Sequence, residues 1–122
     1  MDDLTPLERA VMLVIVAQAT DIGPSLGLQL DSVRVAKREN TGAGFYTTFE
    51  VSAPATMDGV KSPLGDVGAT VQGLEHGMGF LLWLEDGRIN QLEGYSYEES
   101  TTGLDLQRIR FSAVGPRRAR SA

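Results

Sequence analysis

The chain has 122 residues, of which 42% are hydrophobic and 22% charged, with a net charge of −5. Those values suit one globular domain with its own core, and disorder is not the default reading. The absence of cysteine excludes a disulfide framework and a thiolate metal site. The longest apolar run, Ala10–Ala17, has eight residues, too few for a membrane span of about 20. Met1-Asp2-Asp3 is acidic where a secretory signal would be basic. A cytoplasmic location is therefore expected.

The first element is a helix. Thr5 is suited to the N-cap, Pro6 to the first helical position, and Glu8 completes a capping box. The helix should run to about Ala19. Its second half, Val11–Ala17, is apolar all round, so it needs cover from the sheet or from a second subunit. Thr20–Ser25, with Gly23-Pro24, reads as a loop. From Leu26 the period changes to two. Leu26, Leu28 and Leu30 share a parity that Val33 and Val35 do not, which calls for a bulge near Asp31-Ser32. Asn40–Gly44 is a turn. Phe45, Thr47, Phe49 and Val51 alternate with Tyr46, Thr48 and Glu50, so these two segments are expected to form a hairpin.

Ser52–Gly65 contains Pro54, Gly59 and Pro63 and reads as the longest and most mobile loop. Val67, Ala69 and Val71 suggest a short strand. Leu74-Glu75-His76-Gly77 reads as a turn before the apolar strand Phe80–Leu84. Asp86-Gly87 is a preferred hairpin dipeptide. A two-residue loop there sets Glu85 opposite Arg88, Leu84 opposite Ile89 and Leu81 opposite Leu92. Tyr95–Gly103 is a polar loop. Ile109, Phe111 and Ala113 alternate with Arg108, Arg110 and Ser112 to give a last strand with a basic outer face. The expected class is α+β, with one N-terminal helix on an antiparallel sheet of five or six strands. The domain spans residues 1–114, and 115–122 form a disordered tail bearing Arg117, Arg118 and Arg120.

No catalytic set emerges. Gly59-Val60-Lys61-Ser62 lacks the glycines of a phosphate loop, and Gly42-Ala43-Gly44 lies in a hairpin turn. Gly94-Tyr95-Ser96-Tyr97-Glu98 ends in glutamate where a nucleophile elbow needs glycine. His76 is the sole histidine, so neither a triad nor a histidine metal site can be built without it. No cofactor and no metal are expected. Glu93 stands apart because it follows the hairpin beside Tyr95 and Tyr97. It reads either as a functional acid among phenols or as a cross-strand hydrogen-bonding partner.

Between Glu75 and Asp105 there are seven acids and, among lysines and arginines, only Arg88. With the three arginines of the tail set aside, the remaining chain carries −8. An acidic surface repels nucleic acid and attracts a basic partner.

Two stretches, Thr41–Val51 and Gly77–Tyr97, resemble a group of small bacterial proteins without assigned chemistry. That group is similar to the compact α+β immunity proteins of bacterial toxin systems. The likeness is strongest around Leu92-Glu93-Gly94-Tyr95 and does not include the arginine tail. It implies a non-catalytic inhibitory partner and transfers no active-site residue.

Three functions are therefore expected. The first is a binding protein facing a basic protein partner through Glu93, Tyr95, Tyr97, Glu98, Glu99, Tyr46 and His76. The second is a homodimer formed through the apolar helix. The third is a small-molecule binder or enzyme with a pocket between helix and sheet, with Glu93, Tyr95, Tyr46 or His76 at its mouth.

Overall fold

The computed structural model describes residues 4–19, 23–52 and 62–116. Its elements in chain order are α1 (Pro6–Gln18), α2 (Gly23–Ser32), β1 (Arg34–Asn40), β2 (Gly44–Glu50), β3 (Leu64–Val71), β4 (Leu74–Glu85), β5 (Arg88–Ser96) and β6 (Phe111–Pro116). Most of the loop expected over Ser52–Gly65, and the tail arginines, lie outside the described residues.

α1 starts as its sequence dictates. Thr5 is the N-cap, its hydroxyl accepts from the Glu8 amide, and the Glu8 carboxylate accepts from the Thr5 amide. Two orphan donors of the first turn are thereby satisfied. Leu7, Glu8, Val11, Met12 and Ile15 are buried, at the spacing of one helical face. The apolar second half is covered on one side: Leu13 keeps 53% of its surface exposed.

The segment after α1 departs from expectation. Leu26, Leu28 and Leu30 were predicted to share one face of a strand. They stand in a second helix, α2. Leu26, Gln29 and Leu30 are buried, whereas Leu28 is 63% exposed. Three leucines at alternate positions also satisfy a helix that buries only the first and last, four residues apart. The first strand therefore begins only at Arg34.

All six strands form one antiparallel sheet in the order β1-β2-β5-β4-β3-β6. The β1–β2 hairpin forms across Thr41–Ala43, with Asn40 opposite Phe45. Around Asp86-Gly87, Glu85 pairs with Arg88 and Leu84 with Ile89, as predicted. Beyond that the register differs by one residue. Trp83 pairs with Gln91, Leu82 with Leu92 and Leu81 with Glu93. A bulge at Asn90 is the cause. Ile89 and Leu92 are three positions apart, so a regular strand would put them on opposite faces, and the extra residue lets both be buried. The same shift turns Glu93 to the other face, which Leu81 and Trp83 share by the alternation of β4.

Two strand limits also differ from the sequence reading. β4 begins at Leu74, so His76 is an exposed strand residue and not part of a turn. β6 begins at Phe111, after Arg108 and Arg110, and carries no basic face of its own. It continues through Gly115 and Pro116, which pair with Gly68 and Val67.

The core lies on one face of the sheet. Phe45, Phe49, Val67, Val71, Met78, Phe80, Leu82, Ile89 and Leu92 form one buried cluster with the apolar residues of α1 and with Leu26 and Leu30. α1 touches β3, β4 and β6, while α2 touches β5. Gln29 ties α2 to the β4–β5 turn: its amide donates to the Gly87 carbonyl at 2.9 Å and accepts from the Ile89 amide at 2.7 Å.

Candidate functional site

The face of the sheet opposite this core is set by strand parity. On β2, Phe45, Thr47 and Phe49 are buried, so Tyr46 and Thr48 point the other way. Pairing then lines up Glu39, Tyr46, Glu93 and Leu81 across β1, β2, β5 and β4. Gly65 and Asp66 lie between the pairs Leu64–Leu82 and Val67–Phe80, and so fall opposite Leu81. The neighbouring row holds Lys37, Thr48, Gln91 and Trp83. Leu81, Glu93, Tyr95 and Tyr97 are half-buried there, and Trp83 is 37% exposed.

Glu93 is the centre of this face. Its Oε1 accepts from the Trp83 indole Nε1 at 3.0 Å, and its Oε2 accepts from the Tyr46 hydroxyl at 3.5 Å. The neighbouring negative charge of Glu93, then burial, the hydrogen bond to Glu93, and Glu39 push the Tyr46 phenol above its ordinary value. Tyr46 therefore remains a protonated donor across the physiological range. Two aromatic donors thus converge on one carboxylate.

Tyr95 extends the face. It lies over Gly79, where a Cβ would meet its ring at 2.3 Å. A side chain at position 79 would displace it, which is why the backbone is bare there. Its hydroxyl donates to Asp66 Oδ1 at 3.0 Å. Tyr97 meets it edge to face, with ring centroids 5.6 Å apart. Glu93, Tyr95, Tyr97 and Tyr46 are thus brought together. Trp83, at the same parity of β4 as Leu81, joins them. For Glu93 and Tyr95 the missed signal was the parity change at Asn90.

The remaining predicted residues stand apart. Glu99 accepts from the backbone amides of Glu75 at 2.7 Å and His76 at 2.8 Å. Those two bonds, first that from His76, hold its carboxyl below the ordinary value, assisted by the charge of His76. Glu99 thus closes a loop against the start of β4. Glu98 is exposed in that loop with φ of 63°. The acids of Glu75–Asp105 do not make one patch. Glu75, Glu98 and Glu99 are at one end of the β4–β5 hairpin and Glu85-Asp86 at the other, roughly 30 Å away at the rise of a strand.

A second polar centre lies on the core side. The Glu8 carboxylate accepts from Arg38 Nη2 at 2.8 Å and Nε at 3.0 Å, from the Thr47 hydroxyl at 2.6 Å, and from the Thr5 amide at 2.8 Å. Burial pushes this carboxyl up, but the bonds from Arg38, Thr47 and Thr5 and the charge of Arg38 outweigh it, and the group sits below its ordinary value. Sequence reading gave Glu8 only a capping role. The ion pair links positions 30 apart, and no local pattern shows it. A cleft of about 180 Å³ opens beside it, lined by Leu7, Phe45, Leu104 and Leu106 among others. Glu93, Tyr95, Tyr46 and His76 do not line that cleft.

Among the described residues no group of three or more His, Asp or Glu side chains is placed to hold a metal ion. Among the same residues no helix is long and apolar enough to cross a membrane. No protein-family model, curated protein or solved structure matches the chain.

Proposed function

We propose that this chain is a non-catalytic binding protein, an inhibitory partner of the kind found among immunity proteins of bacterial toxin systems, and that it contacts a basic protein through the second face of its sheet. One observation carries the reading. Glu93 is held between the Trp83 indole and the Tyr46 hydroxyl in the middle of a half-exposed aromatic surface. Contact surfaces are enriched in tyrosine and tryptophan, which anchor, and charges around them steer the partner. α1 and α2 pack on the other side, so among the described residues no helix lies on this face. Glu98, Glu99 and His76 drop out of the central contact, because Glu99 is engaged by backbone amides.

The test is affinity capture from lysate of the native host with the wild-type chain, a Trp83→Ala/Glu93→Lys variant and a Leu28→Ser control on the helical side. A stoichiometric partner lost only in the face variant supports the reading. A partner that survives Trp83→Ala/Glu93→Lys overturns it.

A second reading, self-association, rests on the exposed Leu13 within a stretch that has no charge from Ala10 to Ala19, and on the exposed Leu28 of α2. Sedimentation at high concentration decides it. A mass near the 13.1 kDa of one chain removes it.

A further inference from the structure

We infer that the second sheet face recognises a polyproline-type segment laid across the strands, with a cationic side chain, most suitably arginine, at every third position. This rests on the reading of that face as the contact surface. The row that crosses the sheet is Glu39 on β1, Tyr46 on β2, Glu93 on β5 and Leu81 on β4, and it ends on β3 at the irregular Gly65-Asp66 opposite Leu81. An acid occupies every second strand, and a tyrosine or leucine fills the strand between. Neighbouring strands lie about 4.8 Å apart, so the acids repeat at about 10 Å.

A polyproline helix has three residues per turn and a rise of about 3.1 Å, so every third side chain points the same way at a repeat of about 9 Å. In a β-strand, residues three apart point to opposite faces. The acid repeat thus matches the first geometry and not the second. The occupant is also fixed by sign. Lys37, one row away at the β1 edge, is the one basic residue facing the row among the pairings that define it. Two of the acids are held in place by aromatic donors, Glu93 by Trp83 and Tyr46, and Asp66 by Tyr95. Little rotamer freedom is left to lose on binding. Tyr46 and Leu81 supply the apolar surface against which proline rings pack.

The test uses the full chain and two synthetic proline-rich peptides of identical composition. One carries three arginines at every third position and the other at every second position. Trp83 is the sole tryptophan and touches Glu93, so its fluorescence reports occupancy. Three exposed pairs should make the every-third peptide bind roughly tenfold more tightly at low salt. That preference should weaken as salt rises and vanish in a Glu39→Gln/Asp66→Asn variant whose circular dichroism is unchanged. Equal affinity for the two peptides, no binding of either, or a preference that persists in the variant overturns the inference. The outcome is separable from that of the parent reading. If the peptides fail while the captured partner still depends on Trp83 and Glu93, the face stands and only the recognition rule falls.

Discussion

Replacing Glu8 by alanine should be among the most damaging single changes outside the apolar core. The carboxylate takes four hydrogen bonds, two of them from Arg38, whose side chain retains only 15% exposure. Removing one partner of such a pair leaves the other charge poorly solvated and costs about 3–5 kcal/mol. The buried Thr47 hydroxyl and the Thr5 amide lose their acceptor in the same step. Because Arg38 keeps some water, the lower half of that range applies. At this chain length it corresponds to a fall in Tm of roughly 10–15 °C.

Glu8→Gln separates charge from shape. The carboxyl titrates below its ordinary value of 4.5 in the folded chain, so the unfolded chain takes up its proton first. The stabilisation is complete above about pH 4.5 and is lost as the pH falls through the folded value. The difference between wild type and Glu8→Gln in urea melts should therefore be largest at pH 7 and shrink toward pH 3. Glu8→Ala and Arg38→Met should also be strongly non-additive, the double variant losing much less than the two single losses combined. A pH-independent difference, or additive losses, would refute the account of Glu8 as a charge that holds α1 to β1 and β2.

Gln29→Leu keeps the volume but strips both partners from the β4–β5 turn, the Gly87 carbonyl and the Ile89 amide. A loss of about 2–4 kcal/mol is expected, read in urea melts, with faster hydrogen exchange at the Ile89 amide. A loss below 0.5 kcal/mol, the scale of ordinary surface changes, would count against the clamp. For Tyr46, the nearby charge of Glu93 raises the phenol, so Glu93→Gln should bring its titration down toward the ordinary value of 10.0. An NMR titration of the Tyr46 ring that does not move would show that the two groups are not coupled in solution.

The legible parts of this chain were local. Thr5-Pro6-Leu7-Glu8 specifies the start of a helix because a capping box uses only neighbouring groups. Asp86-Gly87 specifies its hairpin because both residues tolerate the positive φ that the turn needs, 52° and 76° here. The alternation of Phe45–Val51 likewise specifies β2 and its buried side.

What required the fold were the decisions between faces. Leu26, Leu28 and Leu30 fit a strand or a helix equally, and packing of Leu26 and Leu30 in the core, with Gln29 on the β4–β5 turn, selected the helix. The hairpin register turned on Asn90, where burying both Ile89 and Leu92 outweighed a regular ladder. That one bulge moved Glu93 onto the second face, beside Tyr46 and the Leu81 and Trp83 that β4 already presents there. The sequence by itself determined which residues could turn, cap or alternate, since those choices depend on each residue and its neighbours. The tertiary structure alone decided which acids stand together. Strand order gathered Glu39, Glu93 and Asp66 from β1, β5 and β3 to one row, whereas Glu75 and Glu85 stay at opposite ends of the single strand β4.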